Sequence, residues 1–328
     1  MYFDRDKLIE ALPQSNHPSL ERGLGAGLVE CWQTYFCAYQ LQDLLDSYCV
    51  DIDCLRVNNN QTVYQYYRQP VQAELTGCAA SNGVCIIVHG YMDHSGLYPH
   101  LIRKKLSQGW DVLIYDLVGH GLSSGEYYAI NSFGEYTQQL QDILDFLATS
   151  DQSDHWLLIG HSTGCAVIME QVLNAVWQDF EQIKARVLLA PLLRSCDSWA
   201  VKIQYFFLKP FLTKILRSVS SNSHDQQFLT LINHLDPLKQ KYIKVNWVGA
   251  MLDWEKRFWS YPPSDKHLLI IQGDDDDTVD WRYNLGAIET QFASNQKKII
   301  AGAKHHLTNE SYALREEVLL ALNSENKV

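Results

Sequence analysis

Residues Trp156-Leu157-Leu158-Ile159-Gly160-His161-Ser162-Thr163-Gly164-Cys165-Ala166-Val167-Ile168-Met169 join a short apolar run, a Gly-x-Ser-x-Gly turn and a helical pattern. A serine on so sharp a strand-to-helix turn is pushed out at the carboxyl end of a sheet. Its small neighbours Gly160 and Gly164 let strand and helix pass close together. The bare pattern would arise by chance about 0.1 times in a chain this long, so the flanking strand and helix, more than the pattern, make Ser162 a candidate nucleophile. A serine hydroxyl attacks only when a base takes its proton, and the base needs a carboxylate to fix its tautomer. Two downstream stretches offer such partners: Gly273-Asp274-Asp275-Asp276-Asp277-Thr278 and Gly302-Ala303-Lys304-His305-His306-Leu307. Adjacent identical residues leave the individual partners open at this point.

The elements that must position these side chains follow from hydrophobic periodicity. Strands are predicted at 84–88, 110–115, 156–160 and 185–190, separated by helices at about 97–108, 133–149 and 164–179. The alternation stops after Pro191 and resumes with strand 267–272, helix 281–292, strand 297–301 and helix 308–322. Short apolar strands separated by helices mean an α/β fold, a mostly parallel sheet covered by helices on both faces. The interruption is read as a helical cap inserted between two sheet strands. The serine turn, the aspartate run and the histidine pair then all lie in loops at the carboxyl ends of strands, where ligands bind. Their order, Ser then Asp then His, is the order of an α/β-hydrolase fold. Ahead of the alternation, 52–57 and 62–67 read as a hairpin turned by Asn58-Asn59-Asn60. The expected organisation is a helical extension at 1–50, core at 51–192, cap at 193–263 and the rest of the core at 264–328. In the extension Leu28, Trp32, Tyr35, Phe36, Tyr39 and Leu44 make one apolar stripe whose polar face is not basic, which favours packing on the body over a membrane anchor.

Composition excludes several classes. With 328 residues, 46% hydrophobic, the chain can bury a large core. A formal charge of −11 argues against nucleic acid as a partner. The start, Met1-Tyr2-Phe3-Asp4-Arg5-Asp6, has no basic region leading into an apolar one, so a cytoplasmic location is expected. The eight cysteines show no Cys-x-x-Cys spacing and are expected to be buried thiols, without zinc or disulfides. Calcium loops alternate their ligands with other residues, so the aspartate run is not read as a metal site.

Three motifs carry a family resemblance. His89-Gly90-Tyr91-Met92-Asp93-His94-Ser95-Gly96-Leu97-Tyr98, then Tyr115-Asp116-Leu117-Val118-Gly119-His120-Gly121-Leu122-Ser123, then Gly160-His161-Ser162-Thr163-Gly164 resemble the successive motifs of monoglyceride-lipase, lysophospholipase and serine-aminopeptidase-like (S33) α/β-hydrolases. The resemblance covers about residues 52–322. It implies that the acid lies three residues after the glycine ending its strand, which selects Asp276 over Asp275 and Asp277, and that the base is the first histidine of the pair, His305 rather than His306. The oxyanion of a tetrahedral intermediate needs two preorganised backbone N–H donors, expected from Thr163, after the nucleophile, and Tyr91, after His89-Gly90. His94, His120 and His161 are read as turn residues hydrogen-bonded to backbone.

The cap carries many large apolar side chains, among them Trp199, Phe206, Phe207, Trp247 and Trp254. Over a catalytic serine they would hold an acyl chain, and Trp199, Phe206 and Phe207 are the candidate substrate-binding residues. Lys202, Lys209 and Lys214 share this stretch, so it is also a candidate for transient contact with a membrane surface. The expected activity is hydrolysis of carboxylic esters, of monoacylglycerol or lysophospholipid type, with a small-molecule substrate and no cofactor. An aminopeptidase or amidase would need paired carboxylates in the cap, which are not evident. A non-catalytic binding protein would have no use for a complete set of triad candidates.

Overall fold

A computed structural model describes residues 3–13, 30–57, 60–70, 81–151, 153–217, 219 and 221–327. The chain begins with α1 (Arg5–Glu10), α2 (Glu30–Ala38) and α3 (Gln42–Ser47), followed by the antiparallel hairpin β1 (Cys49–Val57) and β2 (Asn60–Arg68). The alternating part runs β3 (Val84–Val88), α4 (Pro99–Ser107), β4 (Asp111–Tyr115), α5 (Phe133–Ser150), β5 (Trp156–His161), α6 (Thr163–Leu173) and β6 (Ile183–Leu189). An insertion follows, with α7 (Ser198–Leu208), β7 (Lys214–Leu216), α8 (Gln226–Thr230), β8 (Tyr242–Lys244) and α9 (Val245–Phe258). The chain then returns through β9 (Leu268–Gly273), α10 (Trp281–Gln291), β10 (Asn295–Ile300) and α11 (Tyr312–Ala321).

The main sheet has the order β1-β2-β4-β3-β5-β6-β9-β10. The pairs from β4 to β10 are parallel, and β1 and β2 are the antiparallel edge. This is the α/β-hydrolase arrangement, and the sequence reaches it by period-two alternation along fully apolar strands. In β3, Val84, Ile86 and Val88 enter one core while Cys85 and Ile87 enter the other; in β5, Trp156 and Leu158 oppose Leu157 and Ile159. The first core is closed by α5, α6, α9 and α10, through residues such as Phe133, Ile168, Trp254 and Ile288. The second is closed by α1, α2, α4 and α11, through Leu8, Tyr35, Leu101 and Val318. The N-terminal helices therefore bury the aromatic stripe of α2 against the sheet, and Tyr39 Oη donates to Asp236 of the insertion at 2.8 Å.

Several expectations need correction. The inserted segment is not helical throughout: β7 and β8 form an antiparallel ribbon built from Ile215, Leu216, Tyr242 and Ile243, types that favour a pleated strand. The helix after the serine ends at Leu173 rather than near 179, because Asn174 takes an extended conformation (ψ 104°) and starts a turn. The cysteines are not uniformly buried. Cys54, Cys85 and Cys165 are, but Cys31, Cys49 and Cys196 are half-buried and Cys37 is exposed, on the face of α2 turned away from its packed stripe. Leu28, Asn58-Asn59 and Cys78 lie outside the described residues. Among the described residues no helix is long and apolar enough to cross a membrane.

Candidate active site

β5 delivers Ser162 on a strained turn, with φ 51° and ψ −109°, a region that L-residues with a side chain rarely adopt. Its N–H donates to Leu189 O at 2.9 Å, which ties the turn to the end of β6. Close approach explains both glycines. A Cβ on Gly164 would lie 2.0 Å from Val88 O, and one on Gly160 would lie 2.6 Å from the carbonyl carbon of Gly164.

The loops after β9 and β10 bring Asp276 and His305 together, with Nδ1 2.8 Å from Oδ2. Asp276 is buried and also accepts from Gln272 Nε2 (3.0 Å) and from the N–H groups of Thr278 (2.9 Å) and Val279 (3.2 Å). Its neighbours Asp275 and Asp277 are exposed. Burial alone would raise the Asp276 carboxyl and lower the His305 imidazole, but their mutual attraction outweighs it. Asp276 titrates below, and His305 above, its ordinary value. His305 and Ser162 line one cavity of about 470 Å³, together with Tyr91 and Thr163. Among the described residues, neither the Tyr91 nor the Thr163 N–H donates to another loop carbonyl. The Tyr91 ring stacks on Trp247 of α9 (centroids 3.6 Å apart, planes at 15°), and its hydroxyl donates to Tyr128 O at 2.9 Å.

His306 turns away from Asp276. Its Nε2 meets Asp93 Oδ1 at 3.2 Å, and burial pushes its imidazole down to about 4, so it is neutral at physiological pH. Asp93 also accepts from Tyr98 Oη at 2.8 Å and lies 3.4 Å from His161 Nδ1, while His161 Nε2 is 3.1 Å from the carbonyl of His305. Burial would raise the Asp93 carboxyl, but His306 and His161 hold it well below the usual carboxylate range. Asp93, His161 and His306 are the one group among the described residues whose ligand atoms converge closely enough for a metal, within 4.8 Å. These atoms are already joined by hydrogen bonds, and the cluster serves as a polar floor beneath the His305 loop.

Sequence reasoning did not find this floor, because Asp93, Tyr98 and His306 meet only through the fold. His94 and His161 were expected to bond to backbone alone, yet each also meets a carboxylate, His94 at Asp236 (3.1 Å). His120 does bond to backbone, at Val118 O (3.0 Å). The largest correction concerns the insertion. Trp199, Phe206 and Phe207 do not line the cavity; they are 71%, 69% and 65% exposed, because α7 turns these three rings outward. The apolar wall comes instead from Val201, Trp247, Val248 and Met251, with Leu192 and Val279. Arg217 and Lys239 of the insertion line the same cavity, without any signal in the local sequence.

Comparison with known proteins gives matches consistent with this geometry. A family model described as "Serine aminopeptidase, S33" matches residues 79–312. The chain is similar to a monoglyceride lipase homolog of Monkeypox virus, 23% identical over 278 residues that cover 81% of this chain and 95% of the relative. It is also similar to human monoglyceride lipase, 26% identical over 72% of this chain and 80% of the relative. Among solved structures, a soluble variant of monoglyceride lipase from Saccharomyces cerevisiae superposes with a TM-score of 0.72 at 14% identity, covering 84% of this chain and 94% of that one.

Proposed function

The chain belongs to the serine aminopeptidase S33 family of α/β-hydrolases, and from that premise we propose that it is a serine hydrolase cleaving carboxylic esters of acyl chains, of monoacylglycerol or lysophospholipid type. Ser162 Oγ attacks the ester carbonyl while His305 Nε2 takes its proton. Asp276, on the Nδ1 side, holds the tautomer and stabilises the imidazolium. The Tyr91 and Thr163 N–H groups receive the oxyanion. His305 then protonates the leaving alcohol, and water, deprotonated by the same imidazole, releases the acid from the acyl-serine. The observation that carries this reading is the buried Asp276–His305 pair sharing a cavity with a serine on a strained elbow.

An aminopeptidase would need a free carboxylate in the cavity for the substrate ammonium. Asp93 is taken up by its own partners, and although exposed Asp277 also lines the cavity, Arg217 and Lys239 would repel the ammonium. The exposed rings of α7, beside Lys209 and Lys214, support a cytoplasmic protein that rests transiently on a membrane to collect its substrate.

Replacing the nucleophile tests the reading. Ser162→Ala should lower kcat on a nitrophenyl ester by on the order of a million-fold, with an unchanged circular dichroism spectrum. Retention of more than about a tenth of the activity, a loss of only about 1.4 kcal/mol, would exclude the mechanism. Faster turnover of an alanine anilide than of any ester would favour the peptidase.

A further inference from the structure

Two basic side chains face the cavity, and the reaction just described leaves both without a role. Arg217 directly follows β7, and its N–H donates to Lys241 O at 2.9 Å, extending the ribbon by one rung. Lys239 lies in the turn leading into β8, where the next residue, Gln240, donates its N–H to Tyr128 Oη at 3.3 Å. Each arm of the ribbon thus brings one cation to the cavity that holds Ser162. Three other cations of the insertion are paired, Lys202 with Glu255, Lys244 with Glu126 and Arg257 with Glu170, while Lys209, Lys214, Lys241 and Lys256 are exposed. Arg217 and Lys239 have no carboxylate within salt-bridge distance among the described residues, although both are half-buried. Of the acids around the cavity, exposed Asp277 makes no ion pair with either cation, and two others have hydrogen-bond partners of their own. Asp93 is held by Tyr98, His161 and His306, and Asp236 by Tyr39, His94 and the N–H of Leu238.

Half-buried cations without an ion-pair partner are only partly compensated by the nearby Asp93 and Asp236, and a bound anion would stabilise them further. Burial and the neighbouring guanidinium push the Lys239 ammonium down to about 7, a shift that a bound anion would reverse. The rest of the wall, from Leu192, Val201, Val248, Met251 and Val279, suits an acyl chain. Resting on the acyl-ester reading of this site, we propose that Arg217 and Lys239 form a head-group subsite that selects acyl glycerols bearing a phosphomonoester over neutral monoacylglycerols. Two cations match the two negative charges of a phosphomonoester, and a guanidinium can engage phosphate oxygens in a bidentate manner.

The test uses Ser162→Ala protein, so that no turnover is needed. It is titrated calorimetrically with 1-O-decylglycerol 3-phosphate and with 1-O-decylglycerol, below their micelle concentrations and at about 0.15 M salt. The phosphate ligand should bind at least about tenfold more tightly. Arg217→Met with Lys239→Met should bring that ratio close to one, and the charge-keeping Lys239→Arg should preserve most of it. Because the ratio is internal, general damage to the cavity does not mimic the effect. Equal binding of the two ligands, or a ratio that survives the double methionine variant, would overturn the subsite. An equal gain from decanoate, lost in the same variants, would overturn it in favour of a site for the product carboxylate. Failure to hydrolyse nitrophenyl esters would instead defeat the esterase reading and leave this binding ratio standing.

Discussion

At the scale of single residues, the proposed mechanism makes the Asp276–His305 pair set both pH dependence and the ranking of variants. The Asp276 carboxylate raises the His305 imidazole above its ordinary value of about 6.5. Since the imidazole must be neutral to act as base, kcat/KM should rise with pH through an apparent pKa above that value. Asp276→Asn leaves burial as the dominant influence, so this pKa should fall and the rate should drop by on the order of ten-thousand-fold; a rate profile run on both proteins checks this. For stability the signs differ between partners. The raised His305 contributes stability below the imidazole's unfolded pKa, lost as pH rises through its folded value. The depressed Asp276 contributes above the carboxylate's unfolded pKa, lost as pH falls through its folded value. Asp275→Asn and Asp277→Asn, at exposed positions, should cost far less activity than Asp276→Asn, and a reversed ranking would move the acid by one residue. His306→Ala should act chiefly on stability, by about 1–3 kcal/mol in urea unfolding, since it removes a partner from buried Asp93.

At the scale of elements, the site depends on strands and helices approaching more closely than side chains normally allow. α6 crosses the end of β3 where any Cβ on Gly164 would meet Val88 O. Gly164→Ala should therefore destabilise by about 3 kcal/mol or more, at the upper end of overpacking costs, and a shift in urea midpoint worth under about 0.5 kcal/mol would refute the close approach. The N-terminal helices act in the same structural sense. Tyr39, just after α2, reaches Asp236, which in turn holds His94, so one hydrogen-bonded chain joins the extension, the insertion and the loop after β3.

At the scale of the whole molecule, the insertion divides its apolar residues between two environments. Trp247, Val248 and Met251 face inward over Ser162, and Trp199, Phe206 and Phe207 of α7 face outward. An inward acyl wall predicts that kcat/KM rises from acetyl to at least octanoyl esters, by up to roughly fourfold per methylene, because each buried methylene contributes about 0.8 kcal/mol. Trp247→Ala should flatten that rise, whereas a peak at acetyl would indicate a short-chain esterase. The outward rings predict a separate effect. Phe206→Ser with Phe207→Ser should reduce turnover of substrate in lipid vesicles much more than turnover of a dissolved ester, and equal losses would exclude the membrane-contact role.

The sequence by itself determined the parallel core and the serine elbow, because these rest on local patterns: apolar runs of strand length, helical periodicity, and two glycines within five residues. It also narrowed the acid and base to two short loops, whose adjacent identical residues no local pattern could separate. Only the tertiary structure decided how those neighbours are placed: Asp276 buried against His305 with Asp275 and Asp277 exposed, and His306 inward to Asp93. It likewise decided the sides of the insertion. Trp199 and Trp247 are equally apolar in sequence, but one lies on a helix face with nothing packed against it while the other stacks on Tyr91. Side-chain direction and charge pairing depend on contacts between residues far apart in the chain, so the two cations at 217 and 239 become a pair only once the ribbon folds over Ser162.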